Sequence, residues 1–144
     1  MMIRAITAAD EADWRRLWTA YLAFYEAEVA EVVYATTFSR LLSDDGMAPR
    51  GRLALVDGVA VGLVHFIFHP HCWRVERACY LQDLYAAPEV RGKGVGRALI
   101  EAVYAAADAE GAPGVYWLTQ DFNHEARRLY DRIGSVTPFI KYNR

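Results

Sequence analysis

The apolar residues in the first third of the chain have helical spacing. They recur at steps of three and four residues, at Trp14, Leu17, Trp18, Tyr21 and Tyr25, which predicts an amphipathic helix. Thr7 and Asp10 precede this run with the spacing of a capping box, a helix start signal. A second helix is predicted from Val29 to Leu42, before a polar turn at residues 43–46.

The middle of the chain has the composition of strands. Two runs rich in Val, Leu, Ile and Phe, Arg52–Val56 and Val59–Phe68, flank Asp57-Gly58. This dipeptide is a strong signal for a two-residue hairpin, so an antiparallel pair is predicted. A further extended run, Val75–Ala86, ends before Pro88.

Helices and strands alternate in the last third. A helix is predicted from Gly96 to Gly111, and a short buried strand at Val115–Thr119. The helix His124–Ile133 then ends at Gly134, and a last strand covers Val136–Tyr142. The order of elements predicts one domain over residues 1–144, built on a single mixed α/β sheet and without repeats.

Composition and net charge argue against several classes of function. The 144 residues carry 16 Lys and Arg against 18 Asp and Glu, a formal net charge of −2, which argues against a nucleic-acid binder that works by bulk charge. No apolar stretch is long enough for a signal peptide or a membrane span. Cys72 and Cys79 fit neither a disulfide framework nor a zinc cluster, so reduced thiols and a cytoplasmic location are expected.

The segment Arg91-Gly92-Lys93-Gly94-Val95-Gly96-Arg97 lies between a predicted strand and a predicted helix. Three alternate glycines allow backbone amides to converge on one point, and the helix that follows adds the positive end of its dipole. The turn therefore predicts a phosphate site, to which Arg91, Lys93 and Arg97 would add charge-assisted contacts.

Two common phosphate motifs do not fit this turn. A dinucleotide-binding fingerprint needs Gly-x-Gly-x-x-Gly near the start of the chain, whereas Arg97 stands where the third glycine would be. A P-loop needs Ser or Thr after its Gly-Lys pair, whereas Gly94 follows Lys93. What does fit is the pattern Arg/Gln-x-x-Gly-x-Gly/Ala after a strand, which resembles the pyrophosphate motif of the GNAT family of N-acetyltransferases.

Two further segments carry this resemblance. The run from Tyr80 to Tyr85 resembles the fourth strand of that family, and Asn123-x-x-Ala126-x-x-Leu129-Tyr130-x-x-x-Gly134 resembles its last conserved helix. Residues 123–144 are most similar to the subgroup that contains fungal tetrameric acetyltransferases of histone, polyamine or amino-acid amines. The resemblance implies a single-domain fold whose sheet splays between strands 4 and 5.

The resemblance also implies acetyl-CoA as the cosubstrate. The backbone of Leu84 and Ala86 would pair with the pantetheine arm, and Asn123 would contact the same arm. The pyrophosphate would be held by the turn, at Arg91, Gly92, Lys93, Gly94, Val95, Gly96 and Arg97. Tyr130 matches the family tyrosine that protonates the departing thiolate.

An amine acceptor must lose a proton before it attacks, because its pKa is near ~10.4. Asp83, Glu26, Glu28 and water chains are the candidate bases, and Glu26 and Glu28 could also attract a cationic amine. Gln82 occupies a position where several polyamine-acetylating relatives have Glu, which weakens a polyamine assignment. The histidines near this side, at positions 65, 69 and 71, are interpreted as pocket wall or surface, and no metal is expected.

The leading hypothesis is direct acetyl transfer to the amine of a small molecule or an exposed peptide or protein amine. The alternative is a catalytically silent CoA-binding sensor or interaction module, against which the presence of Tyr130 argues. A nucleic-acid-modifying acetyltransferase would need a basic face, whereas the first helix is acidic. No nucleic-acid or membrane partner is expected, and the apolar last strand predicts a homodimer or higher homo-oligomer.

Overall fold

A five-stranded sheet forms the centre of the computed structural model, which describes residues 1–144. The strands lie side by side in sequence order; the first three pairings are antiparallel and the last is parallel. They are β1 Met2–Ala5, β2 Arg50–Val56, β3 Val59–His69, β4 Ala78–Ala86 and β5 Val115–Tyr116. The predicted mixed, mostly antiparallel α/β fold is confirmed.

Four helices cover the two faces of the sheet. They are α1 Glu11–Phe24, α2 Glu31–Leu41, α3 Val95–Ala109 and α4 His124–Ile133, with short 3-10 segments at Ala8–Asp10 and Pro88–Val90. One core layer joins α1 and α2 to the sheet, through Trp14, Leu17, Phe38, Leu53 and Leu63. The other joins α3 to the opposite face, through Val64, Phe66, Leu81, Leu99 and Val103. The sheet separates the two layers because successive side chains of β3 point to opposite faces.

The start of the first helix and the hairpin turn form as the sequence predicts. The Asp10 carboxylate accepts the backbone N–H of Thr7 at 2.7 Å, within the 3-10 segment that leads into α1. Asp57 and Gly58 both have positive φ, 51° and 79°, the conformation of a type I′ hairpin turn. Both signals depend on a few adjacent residues, so sequence alone defines them.

A β-bulge at Gln82 reverses the facing of β4. His65 pairs with Asp83, but the next residue of β3, Phe66, pairs with Leu81, so Gln82 has no partner. Leu81 belongs to the core layer on the α3 side. An extra residue shifts the alternation of a strand by one position, and the Asp83 carboxylate therefore lies on the α1 face beside His65.

The sheet splits between β4 and β5, because only Cys79 and Tyr80 of β4 pair with β5. Beyond Tyr80 the outer edge of β4 is free, which agrees with the predicted splay. The predicted buried strand Val115–Thr119 is wrong in length and burial, because only its first two residues are in a strand and Tyr116 is exposed.

The predicted last strand Val136–Tyr142 is also wrong. Residues 135–144 form no strand or helix, and their large hydrophobic side chains are exposed, at Val136, Phe139, Ile140 and Tyr142. A strand needs a neighbour whose backbone groups it can pair with, and β5, with two residues, offers almost no edge. The alternation of apolar residues is therefore present without the strand that it normally accompanies.

Candidate functional site

A cleft of about 530 Å³ lies along the free edge of β4. Its walls come from the second half of β4, the turn before α3, the first turn of α3, one side of α4 and the end of α1. Most of the residues predicted for cofactor binding and acid catalysis line it: Leu84, Ala86, Arg91, Gly92, Gly94, Val95, Gly96, Arg97, Asn123 and Tyr130. The fold thus gathers residues that are up to 46 positions apart in sequence.

Two glycines shape the turn at one end of this cleft. Gly92 and Gly94 have φ values of 76° and 84°, in the left-handed region, where other residues are strained by about 1–2 kcal/mol. A Cβ built at either position would meet no atom within 4 Å. The turn is therefore open on the side where a ligand would approach.

The backbone amides of the turn have almost no partners. Lys93 N donates to the Val90 carbonyl at 3.2 Å, and the first helical contact is Ala98 N to the Gly94 carbonyl at 3.0 Å. No carbonyl accepts the remaining amides, those of Gly92, Gly94, Val95, Gly96 and Arg97. Five free N–H groups at the positive end of α3 favour an anion.

Arginine side chains surround the same end of the cleft. Arg91 donates from Nε to the Ala86 carbonyl at 3.1 Å, and Arg97 from Nε to Glu101 at 2.8 Å. Arg128 and Arg132 of α4 also line the cleft, whereas Lys93 does not. Sequence reasoning missed these two arginines, although their spacing of four residues places them on one face of the helix.

Tyr130 lies in the second half of α4, where its ring packs edge-on against Trp117 with centroids 5.5 Å apart. Burial raises the pKa of its hydroxyl to about 12, with a smaller contribution from Tyr25. Gly134 explains the tight packing here, because a Cβ at that position would lie 2.8 Å from the Trp117 ring. The hydroxyl therefore stays protonated at neutral pH and can act as a donor.

Asn123 caps the start of α4. Its side-chain oxygen accepts the amide of Ala126 at 3.3 Å, in the manner of an N-cap. The side-chain NH₂ group is left as a donor, and the residue lines the cleft. One side chain thus both fixes the start of the helix and presents a donor to the cleft.

The residues predicted for the acceptor side do not line this cleft. Glu26 and Glu28 are exposed on the loop after α1, and Gln82 is exposed at the bulge. Asp83 lies deeper, where its Oδ2 is 2.8 Å from Nδ1 of His65. Tyr21 connects the two places, because it lines the cleft and interacts with Asp83: burial and the Asp83 charge both raise the pKa of Tyr21.

A second cleft, of about 750 Å³, is formed by β5, α4 and the residues after α4. Tyr130 lines both clefts, so the two clefts adjoin each other at this residue. No three His, Cys, Asp or Glu side chains are close enough together to hold a metal ion. None of the helices combines the length and hydrophobicity that crossing a bilayer requires.

The Acetyltransferase (GNAT) family model matches residues 11–134. The chain belongs to this family. It is 39% identical over 146 residues to a D-amino-acid N-acetyltransferase of Saccharomyces cerevisiae, covering 100% of this chain and 90% of the yeast protein. It is also 35% identical over 77 residues to a thialysine N-epsilon-acetyltransferase of Sus scrofa, covering 54% of this chain and 44% of that protein.

The fold agrees with this membership. The structure of AAC(6')-Iy in complex with a bisubstrate analogue of CoA superposes with a TM-score of 0.86 at 18% identity, covering 99% of this chain and 96% of that one. The protein is thus an N-acetyltransferase of the GNAT family, and its acetyl donor is acetyl-CoA.

The cleft residues fit this donor chemically. Acetyl-CoA contains a pyrophosphate, a pantetheine arm with two amides and a thioester. The five free amides and the open space above Gly92 and Gly94 suit the pyrophosphate. The free edge of β4 suits an arm that pairs with backbone groups.

Proposed function

We propose that residues 1–144 act as one acetyltransferase domain that transfers an acetyl group directly to a primary amine within a ternary complex. The observation that carries this proposal is the position of Tyr130, which lines the cleft of the glycine turn and also the second cleft. Tyr130 therefore borders both the space for the donor and a second space of about 750 Å³. Acetyl-CoA supplies an activated acetyl thioester when it is bound.

The donor is held by groups with distinct roles. The free amides of the turn, from Gly92 to Arg97, bind the pyrophosphate, and Arg91, Arg97 and Lys93 add positive charge. The backbone of Leu84 and Ala86 pairs with the pantetheine arm, and the Asn123 amide group donates to it. The Arg91 contact to the Ala86 carbonyl supports this role, because it ties the turn to the strand edge.

The chemistry needs one group that accepts a proton and one that donates. The acceptor enters as an ammonium ion at neutral pH, and its proton leaves toward Asp83, directly or through water. The freed nitrogen lone pair attacks the acetyl carbon, and the carbon–sulfur bond breaks. As the amide forms, the nitrogen loses its second proton, which passes to the departing thiolate, while the Tyr130 hydroxyl donates a hydrogen bond to that sulfur.

The acceptor is proposed to be the amine of a small molecule or an exposed peptide amine, with free amino acids as the first candidates. Two relatives are named for acetylating amino acids, a D-amino acid and thialysine. Glu26 and Glu28 are exposed beside Phe24 and Tyr25, which line the cleft. Their charges would raise the local concentration of a cationic amine at its entrance.

Release of free CoA across a panel of D- and L-amino acids, diamines and peptides tests this function. Acetylation of at least one amine, with acetyl-pantetheine used less well than acetyl-CoA, is the expected result. Binding of acetyl-CoA without turnover on any amine would favour the catalytically silent CoA-binding module instead. Acetyl-pantetheine lacks the pyrophosphate, so the comparison isolates the glycine turn.

The protein is further proposed to be a cytoplasmic homodimer or higher homo-oligomer. Four exposed hydrophobic residues follow α4 within a short segment, Val136, Phe139, Ile140 and Tyr142, and such a cluster is typical of an interaction site. Cys72 and Cys79 are both free thiols, in keeping with a reducing compartment.

A further inference from the structure

Two arginines of α4, Arg128 and Arg132, lie in the donor cleft, the cleft of about 530 Å³, but outside the glycine turn. Both side chains are exposed, and their spacing of four residues places them on one face of the helix. Arg127 is the neighbour of Arg128 in sequence, yet it lines the second cleft and not the donor cleft. Helix geometry therefore directs these adjacent arginines to different clefts.

A packing contact places the pair at the end of the donor cleft that holds the glycine turn. A Cβ at Gly96, in the first turn of α3, would lie 3.3 Å from Cδ2 of Leu129, so α4 packs directly on this turn. Arg128 comes just before Leu129 and Arg132 three residues after it, which keeps both within one helical turn of that contact. Their charges are therefore added beside the free backbone amides.

Neither arginine has a counter-ion in the chain. On α3, Arg97 pairs with Glu101 at 2.8 Å, four residues along the helix. Glu125 lies three residues before Arg128, a spacing that also permits an ion pair, but no carboxylate pairs with Arg128 or Arg132. Like charges four residues apart destabilise a helix slightly, so an anion from outside the chain would relieve this pair.

Most of the hydrogen-bond donors of these two side chains are free. Arg132 donates from Nε to the Arg128 carbonyl at 3.1 Å, which leaves its two terminal nitrogens without a partner. The other side-chain hydrogen bond donated by an arginine of α4 comes from Arg127, so Arg128 donates none. Free guanidinium groups bind phosphate oxygens in a bidentate manner.

Coenzyme A carries a phosphate that the glycine turn does not account for. The five free amides of the turn suffice for the non-bridging oxygens of its diphosphate. One ribose away is the 3′-phosphate, a monoester with a charge of about −1.5 to −2 at neutral pH and further acceptor oxygens. A dianion of this kind matches two unpaired guanidinium groups in charge and in donor geometry.

We propose that Arg128 and Arg132 bind the 3′-phosphate and make the enzyme select coenzyme A over 3′-dephospho-coenzyme A. The inference rests on the donor site of the proposed acetyl transfer and adds two specificity-determining residues to it. Arg91 and Arg97 remain with the diphosphate at the turn. Glu125, which also lines the cleft, lowers the net charge of this part of α4, so the selectivity comes from direct contact with the two arginines.

The test measures binding of coenzyme A and of 3′-dephospho-coenzyme A to the full chain by titration calorimetry at neutral pH and low salt. The wild type should bind coenzyme A about tenfold more tightly, because each exposed charge-assisted contact contributes modestly and there are two of them. The double variant Arg128→Gln, Arg132→Gln should bind the two ligands within about twofold of each other. Its affinity for 3′-dephospho-coenzyme A should equal that of the wild type.

Arg127→Gln is the matched control. It removes the same charge from the same helix, but from the side that lines the second cleft, and should keep the preference of the wild type. Circular dichroism checks that each variant is folded. If the double variant is not, Arg128→Gln and Arg132→Gln are measured singly, and each should lose about threefold of the preference.

Three results would overturn the inference. They are equal binding of both ligands by the wild type, a double variant that keeps the preference, and equal weakening of both ligands, which would place the arginines on the diphosphate. Failure of the wild type to acetylate any amine would instead overturn the proposed function, even if coenzyme A is preferred. Acetyl transfer with the same kcat/KM for acetyl-CoA and acetyl-3′-dephospho-CoA would overturn the inference alone.

Discussion

Tyr130→Phe removes one hydroxyl from the transfer site and little else. The Tyr130 ring packs against Trp117, and a phenyl ring keeps that contact. The hydroxyl makes no hydrogen bond to the protein and is not among the atoms sealed from solvent without a partner, so it faces the cleft space. Because no partner is left behind, the substitution should change the unfolding free energy by less than about 0.5 kcal/mol.

The size of the catalytic effect follows from the pKa of the hydroxyl. Burial raises that pKa to about 12, whereas a thiol has a pKa of about 8.5. Complete proton transfer to the leaving thiolate would be uphill by about 5 kcal/mol. Tyr130 therefore acts mainly as a hydrogen-bond donor to developing charge, a contribution of about 1.5–3 kcal/mol, which corresponds to a loss of about 10- to 150-fold in kcat.

The assay is the initial rate of thiol release at saturating amine and acetyl-CoA. We expect kcat to fall within that range while KM for acetyl-CoA changes less than about twofold, since the interaction forms in the transition state. The wild type should show no alkaline limb from this tyrosine below about pH 11, because the folded pKa is about 12. Tyr34→Phe is the control: the Tyr34 hydroxyl shares a hydrogen bond of 2.7 Å with Thr19 and lies outside both clefts, so its loss should leave kcat unchanged.

Full activity of Tyr130→Phe would refute the assigned role. A rise in KM for acetyl-CoA as large as the fall in kcat would refute the reasoning in another way, because it would show that the hydroxyl binds the ground state. A loss above about 10⁴-fold would contradict the argument that proton transfer is incomplete.

Three other predictions follow from separate parts of the molecule. Asp10→Asn removes an ion pair to Arg4, with contacts of 2.7 and 2.9 Å, and should lower the unfolding free energy at pH 7 by about 1–2 kcal/mol in urea titrations. The hydrogen bond from Arg4 holds the pKa of the Asp10 carboxyl well below its usual range, so this stabilisation is present above about pH 4 and is lost as pH falls toward the lower folded value; a pH-independent difference would argue against it. Gly94→Ala, at a φ of 84°, should cost about 1–2 kcal/mol of stability and raise KM for acetyl-CoA but not for acetyl-pantetheine, and an equal rise for both donors would exclude the turn as the pyrophosphate site. Ile140→Asp should shift the mass measured by light scattering from an oligomer to a monomer, whereas a monomeric wild type would refute the proposed assembly.

Local signals account for what the sequence predicts well. The hairpin at Asp57-Gly58, the glycine turn and the helix His124–Ile133 each depend on conformational preferences of adjacent residues. Pairing with distant partners is harder to predict from such preferences. The run Val136–Tyr142 has the alternation of a strand but finds no edge to pair with, because β5 is two residues long.

The contact between His65 and Asp83 could not be predicted for the same reason. Asp83 was a candidate from its position in the fourth strand, but its contact with His65 depends on the register between β3 and β4. That register contains a bulge at Gln82, and a bulge depends on packing of both faces of a strand and not on one residue type. The spacing of Trp14 and Trp18 predicts that they lie on the core face of a helix, which is correct. Their indole N–H groups also lie within hydrogen-bond distance of His65 and Asp83, which hydrophobic spacing does not reveal.

Opposite charges at the two substrate sites explain why a net charge of −2 carried little information. Arg91, Arg97, Arg128 and Arg132 line the donor cleft, whereas the Asp83 carboxylate lies on the α1 face of the sheet beside His65 and Trp18. On the proposed assignment, a polyanionic donor is attracted to these arginines and a cationic amine to the carboxylates of Asp83, Glu26 and Glu28. Tyr130 lines the donor cleft and has a raised pKa that keeps it uncharged at neutral pH, so its hydroxyl adds no charge that would repel either substrate.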